Sequence, residues 1–343
     1  MVDKIKAVHM GVGAIGSRIV RHIVNEREGI EYVGAIDVLP EIVGKDLGEV
    51  ADVGKKLGVK VSDKTKKVLK ETKPDILVHT TTSFIKDVFP QIETPIKQGV
   101  DVISTCEQLS YPTFADKDLT KKYDKLAKEH DVTVLGTGIN PGFLMDVRPF
   151  VLSTGCTKVN KIKVTRRMNA SPRRKPFQKK IGATMTPDEF RTAIKEGKIT
   201  GHVGLEESVS LIADSLGWKL DKIKVEDVDP VIADEEVSSK FYSVKPDHVK
   251  GTSQKAYGVV GGEKKISLIF KAFLGAEPSY DEVIIDGTPE VNAKISPCWH
   301  GDYGTVAMVV NNIPVAINAP PGVLTMMDVV PISFKSGNLA KFV

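Results

Sequence analysis

The residues whose spacing most clearly serves chemistry are Gly11, Gly13 and Gly16 in the loop Gly11-Val12-Gly13-Ala14-Ile15-Gly16. The loop follows the apolar run Ile5 to Met10, and Ile15, Ile19, Val20, Ile23 and Val24 continue from it at helical spacing. Between a strand and a helix, Gly11 makes the tight turn and Gly13 lets a pyrophosphate reach the backbone. Gly16 lets helix and strand pack closely, and the helix N-terminus attracts phosphate. Ala14 and Ile15 lie against the same group. Asp37 ends the next apolar run, twenty-one residues after Gly16, where a ribose-binding acid is expected at about 20. The cofactor is therefore NAD or NADP. Asp37 favours NAD, because a carboxylate accepts ribose hydroxyls and repels a 2′-phosphate. Its other reading is a cap for the segment from Pro40. Arg18, one turn into the helix, reads equally as a surface cation and does not establish NADP use, so both cofactors stay open.

Further reactive positions fall where other apolar runs end. Thr80, Thr81 and Thr82 follow Asp75 to His79 and can offer hydroxyls to the cofactor or cap the next helix. Ser104-Thr105-Cys106-Glu107-Gln108 ends another run, and Glu107 is the candidate catalytic group. Its carboxylate can hold an ammonium group or take a proton from an amine or a water. Cys106 has no partner base in the sequence and reads as a small buried residue. Asn140, in Gly138-Ile139-Asn140-Pro141-Gly142-Phe143, offers a donor and an acceptor to the nicotinamide or to the substrate. Arg167 and Asn169 close a later strand-like run, and Arg167 can pair bidentately with a substrate carboxylate, the alternative being Arg166 or Arg167 on a solvent face. His202, at an expected helix start, is a ligand-facing donor or a neighbour of the cap. His300-Gly301-Asp302 lacks a third metal ligand of suitable spacing and reads as a loop turn, so no metal is expected. HExxH, GxxxxGK and GxSxG do not occur, which removes the usual anchors of metalloprotease, P-loop and serine hydrolase chemistry.

The elements that must hold these residues alternate. Strands are expected at Ile5–Met10, Ile30–Ile36, Asp75–His79, Val100–Ser104 and Val132–Leu135, with helices at Phe84–Gln98 and Phe114–Glu129 between them. This alternation gives the fold class: α/β, a Rossmann-type doubly wound parallel sheet, with a second α+β domain built on a mostly antiparallel sheet. The dinucleotide-binding domain is placed at 1–145 and a substrate and oligomerisation domain at 146–310, with 311–343 returning to the first. In the second domain, Thr186-Pro187-Asp188-Glu189 is a helix start with a capping box, and that helix should end near Gly197. Val203–Leu216 is a further helix. Strands are expected around Val159–Val164 and at Val237–Val244, Ile266–Phe273, Asp281–Ile285 and Thr305–Val310. After Ala319-Pro320-Pro321-Gly322, a turn and a helix are expected over Val323–Val330.

At 343 residues the chain has room for about two domains. Its 48 basic and 44 acidic residues are interspersed, which gives no basic face for nucleic acid. No run of eighteen apolar residues and no leader pattern is evident, so no membrane partner is expected. Cys106, Cys156 and Cys298 lie far apart with no CxxC pair, which fits a reducing cytoplasm.

With these segments in hand, the chain resembles the 2,4-diaminopentanoate dehydrogenase family, whose N-terminal domain is similar to that of dihydrodipicolinate reductase. The resemblance runs most of the length. It rests on the glycine loop, Gly34-Ala35-Ile36-Asp37, Ser104-Thr105-Cys106-Glu107, Gly138 to Phe143, Gly201-His202-Val203-Gly204 and Ala319-Pro320-Pro321-Gly322. It implies NAD(P)-dependent oxidative deamination of a 2,4-diamino acid to 2-amino-4-oxopentanoate and ammonia. Related members look like amine dehydrogenases, which run the reductive amination of ketones. The resemblance further implies that Glu107 is the catalytic glutamate, that Asn140, Arg167 and Asn169 line the substrate pocket, and that the chain forms a homodimer. The paired histidines and the Lys-Ser-Gly-Thr of dihydrodipicolinate reductases are not found. Two alternatives stay open: an imine or carbonyl reductase working without ammonia, and a non-catalytic NAD(P)-sensing protein.

Overall fold

In the computed structural model, which describes residues 3–329 and 332–343, the N-terminal alternation becomes a regular series. It runs β1 (Ile5–Met10), α1 (Ala14–Glu26), β2 (Ile30–Ile36), α2 (Leu47–Val50), β3 (Val61–Ser62), α3 (Thr65–Thr72), β4 (Ile76–His79) and α4 (Ile85–Lys97). β5 (Asp101–Ser104), α5 (Pro112–Ala115), α6 (Lys117–Glu129) and β6 (Thr133–Gly136) follow. The expected Phe114–Glu129 helix is two helices, because Asp116 is extended and its carboxylate caps the second by accepting from Leu119 N at 3.0 Å. The strands form one seven-stranded parallel sheet in the order Gly322–Leu324, β6, β5, β4, β1, β2, β3. The order reverses between β1 and β4. Loops leaving their carboxyl ends diverge there and leave the crevice in which open α/β sheets bind ligands. Beneath it Val8, Leu77, Val88, Phe89, Ile92, Val102 and Val134 form a fully buried core.

Two compact units share the chain. One holds the residues through Phe143 together with those from Gly301 onward, and the other is Leu144–His300. The return to the first unit thus begins at 301 and not at 311. Thr305–Val310, expected as a strand, lies inside an α-helix, Gly301–Asn318, which packs on α1 and β5. Val306 and Met308 to Val310 are all buried in it, so burial on several sides leaves no helical period to read in the sequence. The expected helix over Val323–Val330 is also replaced. Gly322–Leu324 is a strand that adds to β6, as the expected return to the first domain requires, and Val330 lies outside the described residues.

The second unit contains α7 (Val147–Ser153), β7 (Lys158–Asn169), α8 (Lys175–Lys180), α9 (Pro187–Lys195), α10 (Leu205–Ser215), β8 (Lys222–Val225) and β9 (Asp229–Ile232). Then come β10 (Val237–Ser238), β11 (Ser243–Val244), β12 (Val249–Val260), β13 (Glu263–Phe273), β14 (Tyr280–Thr288) and β15 (Val291–Ile295). Its main sheet runs β15-β14-β7-β13-β12-β8, with β9 also on β12, and only β7 and β13 pair in parallel. Val237–Val244 is a short hairpin of β10 and β11 and not one strand. The capping box of α9 forms as its sequence requires, with Glu189 N donating to Thr186 Oγ1 and Thr186 N to Glu189 Oε2.

Candidate active site

Each glycine of the loop has a different constraint. Gly11 sits at φ +90°, and a Cβ there would lie 2.8 Å from the Thr80 carbonyl oxygen. A Cβ on Gly16 would lie 2.1 Å from Gly11 O and 2.7 Å from both His9 Nε2 and Thr80 Oγ1, so only glycine lets α1 come this close. At Gly13 a Cβ would meet nothing within 4 Å. That position faces open space, as a backbone approached by a ligand must. Gly11 and Gly13 line a cavity of about 500 Å³ with Asp37, Val38, Leu39, Thr65, Thr80, Thr81 and Gln91. The Asp37 carboxylate is fixed at its rim, accepting from Val12 N at 2.7 Å, Val38 N at 2.7 Å and Leu39 N at 3.0 Å. It both ties the loop to β2 and caps the following turn. These features suit a dinucleotide: an open glycine for the pyrophosphate, an anchored carboxylate for the ribose, and a cavity between them. Arg18 lies 3.9 Å from Asp302 on the Gly301–Asn318 helix.

The threonines after β4 build a wall shared with Glu107. Thr80 Oγ1 donates to Gly11 O at 2.6 Å and sits 3.1 Å from Nε2 of fully buried His9. Burial holds the His9 imidazole down at about 3, so it is neutral. Thr81 Oγ1 donates to Gln91 Oε1 at 2.9 Å. None of the threonines caps α4, whose N-cap is Phe84. Thr80, Thr81 and Thr82 join Gly13, Ala14, Ile15, Thr105, Glu107 and Asn140 around a cleft of about 320 Å³. Six of the nine residues expected to bind cofactor thus share one wall with the expected catalytic carboxylate.

Glu107 opens a 3-10 turn, Glu107–Ser110, at the carboxyl end of β5. Ser104 Oγ accepts from Cys106 N at 3.1 Å, Ser110 Oγ donates to Glu107 O at 2.7 Å, and Gln108 N donates to Ser83 O at 3.2 Å. Gly136 lets the turn lie against β6, since a Cβ there would fall 2.3 Å from Leu109 O. Cys106 is buried, as its small apolar reading requires. The loop that carries Asn140 is held by Gly304 of the Gly301–Asn318 helix, where a Cβ would lie 2.5 Å from Ile139.

In the second unit the expected substrate residues separate. Arg167, half-buried on β7, donates from Nη2 to Glu277 O at 3.0 Å and stacks over Phe273, while its Nε has no partner among the described residues. Asn169 donates to Glu277 Oε1 at 2.9 Å and lines a cavity of about 230 Å³ with Arg173, Glu277, Cys298, Trp299 and His300. His202 lies in another cavity, of about 260 Å³, with Arg174, Lys180, Gln254 and Phe270. It stands ahead of the α10 N-cap, which is Gly204, and its ring stacks on Phe270 at 4.4 Å. Burial, with the charges of Arg166 and Lys180, lowers its pKa to about 3. Sequence reasoning missed the role of Arg166. It is buried, not on a solvent face, and pairs with Asp281 at 2.8 Å. Arg173 lines the first of these cavities and Arg174 and Lys180 the second, and the sequence singled out none of them as a site residue. His300-Gly301-Asp302, expected as a loop turn, leads into the Gly301–Asn318 helix. Among the described residues no three His, Cys, Asp or Glu side chains gather as a metal cage.

Residues 143–341 match the family described as 2,4-diaminopentanoate dehydrogenase C-terminal domain, and residues 5–106 match the dihydrodipicolinate reductase N-terminus. The 2,4-diaminopentanoate dehydrogenase of Acetoanaerobium sticklandii is 34% identical over 339 residues, covering 95% of this chain and 94% of that protein. The 4-hydroxy-tetrahydrodipicolinate reductase of Methanocaldococcus jannaschii is 32% identical, but over only 42% of this chain and 49% of its own. Among solved structures, an amine dehydrogenase from Mycobacterium smegmatis superposes with a TM-score of 0.81 at 24% identity, over 96% of this chain and 97% of that one, which establishes a common fold.

Proposed function

The chain belongs to the 2,4-diaminopentanoate dehydrogenase family, and from that premise we propose that it oxidatively deaminates 2,4-diaminopentanoate or a closely related amine, reversibly, with a nicotinamide cofactor. It is an oxidoreductase acting on amines. The observation that carries the mechanism is the shared cleft, in which Glu107 and Asn140 stand with Gly13, Ala14 and Ile15 of the glycine loop. The nicotinamide, when bound, supplies the hydride acceptor, so that the carbon bearing the amine is oxidised. Glu107 first takes a proton from the substrate ammonium, leaving the free amine whose carbon gives up hydride; once that proton has passed to solvent, Glu107 deprotonates the water that adds to the iminium and returns the proton to the departing nitrogen, so that ketone and ammonia leave. In the reverse direction Glu107 holds the incoming ammonium. Asn140 orients the reacting group with one donor and one acceptor. Arg167 and Asn169, which meet at Glu277, are the proposed ligands of the substrate carboxylate, while His202 lies in a separate cavity.

NAD is the favoured cofactor. Asp37 stands where a 2′-phosphate would be repelled, Val38-Leu39-Pro40 follow it without a cation, and Arg18 is engaged with Asp302. A homodimer in a reducing cytoplasm completes the reading, the compartment being supported by the three free cysteines. The reductase alternative is disfavoured because the likeness to 4-hydroxy-tetrahydrodipicolinate reductase spans less than half the chain. The test follows reduced-cofactor absorbance with 2,4-diaminopentanoate and NAD or NADP, and ketone reduction with and without ammonia. Amine-dependent cofactor reduction, and ketone turnover only with ammonia, are expected. Ketone reduction that ignores ammonia would refute the reading.

A further inference from the structure

His79, the last residue of β4, is fully buried and belongs to neither the glycine loop nor the Glu107 turn. Its Nδ1 is 2.9 Å from Ser104 Oγ. Its Nε2 is 3.1 Å from Gln91 Oε1 and 3.0 Å from Thr81 Oγ1. The network assigns the tautomer. Gln91 Oε1 can only accept, and it receives both the Thr81 hydroxyl and Nε2–H. Nδ1 is left to accept the Ser104 hydroxyl, whose oxygen receives Cys106 N–H at 3.1 Å. A hydrogen-bond chain therefore runs from Cys106 N–H through Ser104 and His79 to Gln91 Oε1, which also accepts from Thr81, and Gln91 and Thr81 line the cofactor cavity. Burial lowers the His79 pKa to about 4, so the arrangement persists at neutral pH.

We propose that His79 is a positioning residue for Glu107, holding the Cys106–Glu107 turn in place through its Nδ1 and the Ser104 hydroxyl. The inference rests on Glu107 acting on the amine. A buried histidine that served only packing would not care which of its nitrogens was replaced. The chain through Ser104 does.

The test compares His79→Asn, whose amide reaches the place of Nδ1, with His79→Gln, whose amide reaches that of Nε2, and with His79→Leu. Asn should keep kcat within about threefold of wild type, while Gln and Leu lower it about tenfold or more, since a small misplacement of a catalytic group is costly. The Kd of the reduced cofactor, read by its fluorescence, should stay within about threefold throughout. Wild-type kcat in His79→Gln, or equal losses in Asn and Gln, would overturn the proposal. If Leu fails to fold, the contrast between Asn and Gln still decides. Amide hydrogen exchange over 104–110 reads the same contrast without turnover: protection of this segment should persist in Asn and fall in Gln, and protection kept in Gln overturns the proposal. If the wild-type chain oxidises no amine, the reaction assignment fails, and exchange alone decides His79.

Discussion

The Asp37 carboxylate does two things with one charge. It accepts three backbone N–H groups, which fixes the glycine loop against the end of β2, and it places a negative charge at the rim of the cavity. Asp37→Asn retains an acceptor for Val38 and Leu39 while removing the charge. The kcat/KM ratio for NAD over NADP should fall at least about tenfold, equivalent to ~1.4 kcal/mol. An unchanged ratio would show that Asp37 is only a cap. Glu107, Asn140 and the loop were legible in the sequence because each ends an apolar run, and parallel strands bring all such ends to one edge. Arg166 was not, because adjacent residues on a strand face opposite ways and nothing local tells which of Arg166 and Arg167 turns inward to Asp281.

Among the elements, the 3-10 turn after β5 depends on a residue at the end of the next strand, β6. Gly136 leaves room for the Leu109 carbonyl, and a methyl group there would have to push the turn away. Gly136→Ala should therefore lower kcat by about ten- to a hundredfold, through displacement of Glu107, and cost ~1–3 kcal/mol of stability by overpacking. Cofactor affinity should barely change, because the glycine loop and Asp37 lie on β1 and β2. Initial rates, cofactor titration and thermal melting on the same preparation check this, and unaltered kcat would contradict it. Long-range dependence of this kind does not appear in local patterns. The Gly301–Asn318 helix was hidden for a related reason: Thr305 to Val310 is a β-branched apolar stretch whose helical form is imposed by its neighbours, α1 and β5. β12 was overlooked because Gly251, Gly258 and its polar residues blur the alternation. The α9 start was read correctly because a capping box is a local signal.

Over the whole molecule, the first unit carries the candidate cofactor crevice and Glu107 on one chain-discontinuous scaffold, completed by the residues from Gly301 onward. The parallel alternation made that scaffold legible, but the point of return was not, since it hinges on a segment whose sequence suits strand and helix alike. The second unit supplies an antiparallel sheet with two cavities, and the family match over 143–341 separates this chain from reductases that share only the N-terminal half. The most direct measurement is steady-state oxidation of 2,4-diaminopentanoate by the wild-type chain and by Glu107→Gln, with cofactor Kd determined for both. Turnover should fall about 10²- to 10⁴-fold with Kd unchanged within about threefold. A Glu107→Gln chain that turns over like wild type would contradict the assignment of the cleft as the site of amine oxidation.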